Sequence, residues 1–235
     1  MNTFSYPKKR FSRPLFRLCK TLACLFALCA LLFLPACKKQ STDYFSYVSE
    51  LRSNILLAEA EGYTLRIYAS TKEYPYTPDG VPREKTTRAE AYLIAPSGDK
   101  DCTLSFAWNG KTYGGDMSFD NVKTEYYYSC TLDISNAQTL VCEITHGDKA
   151  LRMEARSVLE ENTLPAEKAL KTLVKAENAL FKGMTDKYGF AGEIYVRLIH
   201  EDSPYYYVGV IDRNGKTTAF LLNASSGKIL ARRES

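Results

Sequence analysis

Between residues 44 and 157 apolar and polar residues alternate again and again, and a period of two fits an extended strand with one face buried. The apolar phase reads Tyr63-Leu65-Ile67-Ala69, Ala89-Ala91-Leu93, Cys102-Leu104-Phe106-Trp108, Tyr126-Tyr128-Cys130-Leu132, Leu140-Cys142-Ile144 and Leu151-Met153-Ala155. Turn signals punctuate these runs: TPDG at 77–80, PSGD at 96–99, NG at 109–110, SNA at 135–137 and HGDK at 146–149. About seven short strands at such spacing predict a β-sandwich. The leading stretch, 45 to 57, fits two patterns, because Phe45, Val48, Leu51 and Ile55 also suit one face of a helix.

The pattern changes at Glu160-Glu161-Asn162-Thr163. Thr163 is placed to cap a helix, Pro165 suits its first turn, and Glu167 lies at the positive end of the helix dipole. Ala166, Leu170, Leu173, Val174, Leu180 and Phe181 then recur at helical spacing, and Gly183 supplies a stop. Glu177 interrupts the stripe, four residues after Leu173 and four before Phe181, and an inward carboxylate there needs a partner. Strands are expected at 193–200, 206–212, 217–223 and 228–232, with Arg213-Asn214-Gly215-Lys216 as a hairpin turn. The predicted fold is therefore mainly β with a C-terminal α+β unit. A β-sandwich over 44–159 is followed, over 160–235, by one amphipathic helix packed on a small antiparallel sheet. Core candidates in the second unit are Leu170, Leu173, Val174, Phe181, Val196, Leu198, Val210 and Leu221.

The first 36 residues differ from everything that follows. Lys8, Lys9, Arg10, Arg13, Arg17 and Lys20 precede an apolar run from Leu22 to Leu34 that is shorter than the roughly 20 residues a spanning helix needs. A small-residue junction closes it, and the whole reads as an export signal. The closing tetrapeptide Leu34-Pro35-Ala36-Cys37 resembles the bacterial lipoprotein lipobox. That resemblance implies cleavage between Ala36 and Cys37 and a covalent diacylglycerol lipid on Cys37, with residues 37–43 as a lipidated tether. It also implies anchoring on the outer, extracytoplasmic face of the cell membrane. Acyl chains contribute about 0.8 kcal/mol per buried methylene, so two or three hold a domain on the bilayer.

Removing the signal changes the charge. The full chain carries 31 Lys+Arg and 27 Asp+Glu, and the signal takes six of the bases and no acid, leaving 25 − 27 = −2. A nucleic-acid partner, which requires a basic stripe on the folded domain, is not expected. Of seven cysteines, Cys19, Cys24 and Cys29 leave with the signal and Cys37 takes lipid. Cys102, Cys130 and Cys142 remain, an odd set that cannot close into a disulfide framework. They alternate with core residues and read as small buried hydrophobes, with a Cys130 to Cys142 bridge left open. No zinc spacing occurs, so no metal site is expected.

Catalytic signals are few. The two histidines are His146, in a turn, and His200, at a strand end beside Glu201, Asp202 and Ser203. Neighbouring residues in a strand or turn point in different directions and do not make a triad. Asp212-x-Asn214-Gly215 lacks the spacing of a calcium loop and reads as turn chemistry. Tyrosine is the unusual residue, clustered at 126–128 and 205–207. Rings in consecutive strand positions alternate between faces, so Tyr127, Tyr205, Tyr206 and Tyr207 are the candidates for a binding surface. Lys168, Lys171, Lys175 and Lys182 are expected on the solvated side of the helix.

The 44–159 region resembles an immunoglobulin-like domain in strand number and length, without the Cys, Trp, Cys order. The hairpin 207–216 with its continuation 220–230 resembles the C-terminal hairpin of PepSY-type domains, small modules of envelope proteins and peptidase propeptides. No cofactor is expected, and no enzyme activity. The expected function is a membrane-anchored lipoprotein that engages protein or glycan at the cell envelope. A peptidase-modulating protein is the alternative, and an envelope hydrolase a lesser one.

Overall fold

The computed structural model describes residues 42–73 and 81–235. The signal segment with Ala36 and Cys37, most of the tether and the TPDG turn lie outside the described residues. The N-terminal stretch that fitted two patterns is a short 3₁₀ turn, Tyr44–Tyr47, followed by a 13-residue strand, β1, Val48–Ala60. The helical reading of Phe45, Val48, Leu51 and Ile55 yields to β-pairing along both edges of that strand.

The strands then follow in order: β2 (Tyr63–Glu73), β3 (Lys85–Ile94), β4 (Cys102–Trp108), β5 (Lys111–Asp116), β6 (Ser118–Asp120), β7 (Glu125–Cys130), β8 (Thr139–His146) and β9 (Lys149–Ser157). Two short helices, α1 (Ala166–Ala176) and α2 (Asn178–Gly183), lead to a tiny hairpin of β10 (Thr185–Asp186) and β11 (Gly189–Phe190). A meander of β12 (Gly192–His200), β13 (Pro204–Asp212), β14 (Thr217–Asn223) and β15 (Ile229–Glu234) ends the chain.

The molecule is mainly β, a sandwich-like arrangement with a helix-covered meander, as the alternation predicted. Its organising element is β1. One edge of β1 pairs with β2 along nearly its whole length. The other edge is divided. Val48, Glu50, Leu51 and Arg52 run parallel to β12, whereas Leu56 and Leu57 pair antiparallel with Ser157 and Arg156 of β9. The division falls at a register shift between Arg52 and Asn54, where an extra residue bends a strand. Asn54 is fully buried at this fork. Its Nδ2 donates to the Ser135 and Ala137 carbonyls at 3.2 and 2.8 Å, and its Oδ1 accepts from Ser157 Oγ at 2.8 Å. A buried amide so satisfied costs little and holds three segments together.

Two apolar cores result. The first lies between β1, β2, β3 and β7 on one side and β4, β8 and β9 on the other, filled by Leu56, Leu65, Ile67, Leu93, Leu104, Phe106, Leu140 and Ile144. His146 ends β8 inside this core, only 3 % exposed, with the Tyr63 and Tyr126 hydroxyls 2.9 and 3.2 Å from its two ring nitrogens. It was expected in a turn. The turn is the two residues that follow, Gly147 and Asp148, between the paired His146 and Lys149. The second core packs Ala169, Leu170, Leu173 and Phe181 of the helices against Ile194, Val196, Leu198, Tyr206, Val208, Phe220 and Leu222.

Several local expectations are corrected. Thr163 does not cap the helix: its hydroxyl accepts from Glu160 N at 2.9 Å, and Pro165 stands at the cap position. The predicted single helix is broken at Glu177 (φ −103°, ψ 34°), which turns this residue to a half-buried position instead of into the stripe. Leu221 is half-exposed, because its neighbours Phe220 and Leu222 take the inward phase of β14. Around the expected boundary at 160–164, Val158 N donates to Ile55 O and Leu164 N to Ala224 O, so the chain here is tied to the second core at both ends. Thr42–Ser235 forms one compact unit.

Candidate functional site

Side chains that point away from the cores fall on two quite different surfaces. On β8 and β9 they are Thr139, Val141, Glu143 and Thr145, with Arg152, Glu154 and Arg156, all exposed. Across β7, β3, β2, β1, β12 and β13 the same outward phase holds tyrosines, arginines and carboxylates that lie half-buried against one another. The five steps from β7 to β13 make this face about 24 Å wide at ~4.8 Å per strand.

Register brings its residues together. Tyr127 stands opposite Tyr92, Tyr92 opposite Arg66, and Tyr68 opposite Glu90. The Tyr127 and Tyr92 ring centroids are 5.0 Å apart, and those of Tyr92 and Tyr68 5.3 Å. Arg52 follows with its guanidinium carbon 3.9 Å from the Tyr68 ring centre, a cation–π contact. Further along, Glu50 pairs with Arg197, whose guanidinium covers the Tyr195 ring at 4.6 Å, and Tyr195 stacks on Tyr207 at 5.9 Å. The Tyr195 ring lies across Gly209, where a Cβ would come within 1.9 Å of its Cζ. Glycine at this strand position is what lets the ring lie flat on the sheet.

A carboxylate sits at the centre. Glu90 is 5 % exposed and accepts from Lys72 Nζ at 3.0 Å, with the Tyr127 hydroxyl at 3.5 Å. Burial by itself would raise its carboxyl; Ser70, Lys72 and the charge of Arg52 outweigh that and hold it below the ordinary value. Ser70 Oγ faces this carboxylate without reaching the geometry of a formed hydrogen bond. Burial and the Glu90 charge raise the Tyr92 hydroxyl, and burial with the neighbouring Tyr207 pushes Tyr195 up to about 12. These phenols therefore stay protonated as donors and flat apolar plates.

Charges of both signs are balanced here: Arg52, Arg66, Lys72, Arg88 and Arg197 share the outward phase with Glu50, Glu59, Glu90, Glu125 and Glu193. Arg66 is half-buried between Tyr92 and Leu57; its Nε has no hydrogen-bond partner, as is true also of the Arg52 and Arg197 Nε atoms, and no ion pair reaches it among the described residues. The arrangement supplies planar donors and aromatic faces, a chemistry of binding anions and rings.

Of the residues singled out from sequence, Tyr127 and Tyr207 lie on this face, with Tyr205 on the same phase of β13. Tyr206 does not. It is 2 % exposed in the helix-covered core, where its hydroxyl donates to Leu164 O at 2.7 Å, because alternation sends the middle ring of the three inward. Tyr68, Tyr92, Tyr195, Arg52, Arg66 and Arg197 were missed. Their signal was present in the polar phase, as Arg66-Tyr68-Ser70-Lys72, Arg88-Glu90-Tyr92 and Tyr195-Arg197.

The other chemical groups are dispersed. Cys102, Cys130 and Cys142 are free; burial pushes Cys102 up to about 11 and Cys142 up to about 12, so these thiols are weak nucleophiles. Asp212 accepts from the Asn214 and Lys216 amides at 2.8 and 2.9 Å, which is turn chemistry. Among the described residues no three metal-binding side chains converge. Comparison with known protein families, with curated proteins and with solved structures finds no match.

Proposed function

We propose that the chain is a membrane-anchored extracytoplasmic lipoprotein, non-enzymatic, that engages a protein or glycan of the cell envelope through its tyrosine-and-arginine sheet face. The lipobox at Leu34-Pro35-Ala36-Cys37 supports the anchor, a diacylglycerol on Cys37. Among the described residues no helix is long and apolar enough to cross a membrane. The observation that carries the binding role is the half-buried ladder Tyr127-Tyr92-Tyr68-Arg52, a surface too ordered for an ordinary solvated face. Its planar donors and aromatic faces suit holding a ligand.

A second reading, a peptidase-modulating module of the PepSY kind, rests on the sequence resemblance of the hairpin 207–216 and its continuation 220–230.

Mass spectrometry of the chain purified from membranes tests the anchor. The expected species begins at Cys37 and carries lipid mass, and Cys37→Ala accumulates as an uncleaved precursor. An unmodified Cys37 thiol in the wild type would overturn the lipoprotein reading.

A further inference from the structure

We infer that the folded unit makes a second contact with the lipid bilayer through the tip of the β10–β11 hairpin, Lys187 and Tyr188, and that this footing holds the tyrosine ladder away from the membrane; the inference rests on the lipoprotein reading above and adds an orientation to it. Three observations converge. First, the tether is short. Five residue steps separate Cys37, which takes the lipid in that reading, from Thr42, where the compact unit begins. They span at most about 18 Å at ~3.6 Å each. A unit of this chain length is about 40 Å across, so the side on which the chain enters cannot turn away from the bilayer.

Second, the hairpin lies on that side. The Tyr44 ring, two residues after Thr42, packs on Phe181 and Phe190 at 5.0 and 5.4 Å, and its hydroxyl is 3.2 Å from Thr185 Oγ1. The Tyr47 hydroxyl accepts from Phe190 N at 3.3 Å. Thr185 and Phe190 pair at the base of the hairpin, and the tip is two residues further out, roughly 7 Å along a strand. The chain thus enters the fold against the hairpin, which brings the tip to the same headgroups as the tether.

Third, the tip has the chemistry of an interfacial anchor. Tyr188 is 84 % exposed, and Lys187 Nζ lies 4.7 Å from the centre of its ring. A single exposed ring is ordinary on a surface in water. Beside a bilayer its flat body enters the headgroup layer while its hydroxyl and the neighbouring ammonium stay wet. Charges around it are mixed, Arg213 pairing with Asp186 at 3.1 Å and Lys216 with Glu234 at 2.6 Å, so the ring makes the contact and net charge does not.

The footing bears on the candidate site through β1, which starts directly after the Tyr44–Tyr47 turn. Arg66 stands opposite Leu57, nine residues beyond Val48, and Tyr92 opposite Arg66. That places the Tyr92 and Tyr127 end of the ladder roughly 30 Å along the strand from the entry point, at ~3.3 Å per residue. A unit footed at the hairpin presents these rings to the envelope and not to the headgroups.

The test uses the full-length lipid-carrying protein in phosphatidylcholine nanodiscs, with a nitroxide on the lipid headgroup as quencher. Tyr188→Trp reports from the hairpin, and Val122→Trp from a 93 % exposed turn at the other end of the sheet. Wild type, with Trp108 alone, supplies the baseline. Emission from Tyr188→Trp should be quenched and that from Val122→Trp should not. In discs without quencher, Tyr188→Ser should speed acylation of Lys187 by a water-soluble ester about fivefold, the order expected when one ring leaves a contact. Lys149, at the far end of the sheet beside Glu61, should react at an unchanged rate. Melting temperatures show that each variant is folded, and the Lys187 measurement stands in should Tyr188→Trp not be. Equal quenching at the two tryptophans, on protein whose mass shows lipid at Cys37, would overturn the footing and leave the lipoprotein reading intact. Protein without lipid mass that fails to stay with the discs would remove both. Quenching of Tyr188→Trp only after phosphatidylglycerol is added would replace the ring by charge attraction, and unchanged Lys187 acylation in Tyr188→Ser would take Tyr188 out of the contact; either result overturns the inference.

Discussion

The two outward surfaces of the β-rich half share strand chemistry and differ in use. On β8 and β9 each outward residue is exposed and its contacts are local, such as Arg156 with Glu154 at 2.9 Å. Across β7, β3, β2, β1, β12 and β13 the outward residues are half-buried, most of them by one another and Tyr68 by the edge of the second core at Ile55. Both surfaces lie over apolar cores, so burial of the sheet does not account for the contrast. What differs is the aromatic rings: tyrosines lie flat and cover their neighbours, while Thr, Glu and Arg on β8 and β9 stand in solvent. A sheet can thus carry two polar faces, one merely solvated and one packed.

The largest effects should be the same beneath both surfaces. Leu65, under the tyrosine face, and Leu104, under β8, are 0 % and 1 % exposed. Leu65→Ala and Leu104→Ala should each cost about 2–5 kcal/mol in urea unfolding, from lost transfer energy and the cavity left. A value below about 1 kcal/mol for either would show that the cores, and not only the surfaces, are unequal.

The surfaces should then separate. Gly209→Ala forces the Tyr195 ring off the sheet and should cost about 1–3 kcal/mol by overpacking. Thr145→Ala on the β8 face should stay within about 0.5 kcal/mol. Thermal melts of the two variants that coincide would remove the distinction between a packed face and a solvated one.

A smaller effect carries a pH signature. Glu90→Gln removes the charge that Lys72 pairs with, and because Lys72 is partly solvated the loss should be about 1 kcal/mol at neutral pH. The Glu90 carboxyl is held below its ordinary value of 4.5 in the folded chain. Its contribution is therefore complete above that value and disappears as pH falls through the lower folded value. The melting temperatures of wild type and Glu90→Gln should converge as pH falls below 4.5 and through the lower folded value. A gap that is constant from pH 7 to pH 3 would mean that Glu90 acts by packing and not by charge.

Much of this was readable from residue order. The alternation in β2, β3, β4, β8 and β9 marks which side chains turn inward, and Asn109-Gly110 and Arg213-Asn214-Gly215-Lys216 close the hairpins where turn chemistry places them. Strand β1 was harder, because Phe45, Val48, Leu51 and Ile55 satisfy two periods at once and only its pairing partners decide between them. The candidate face was half visible. Runs of three tyrosines drew attention to Tyr127 and Tyr207, while Tyr68, Tyr92 and Tyr195 stand singly in sequence and become a group only when strands pair.

What the amino-acid order determined is the identity of the strands, their inward phase and the turns between close neighbours, since those depend on contacts a few residues apart. Tertiary structure alone decided that β1 divides its edge between β12 and β9, and that Arg66, Tyr92 and Tyr127 meet on one polar phase while that of β8 and β9 stays bare. The physical reason is distance along the chain. A period of two states that a residue faces outward, but which residue lies beside it is set by partners as far apart as Arg52 and Arg197, which no local pattern encodes.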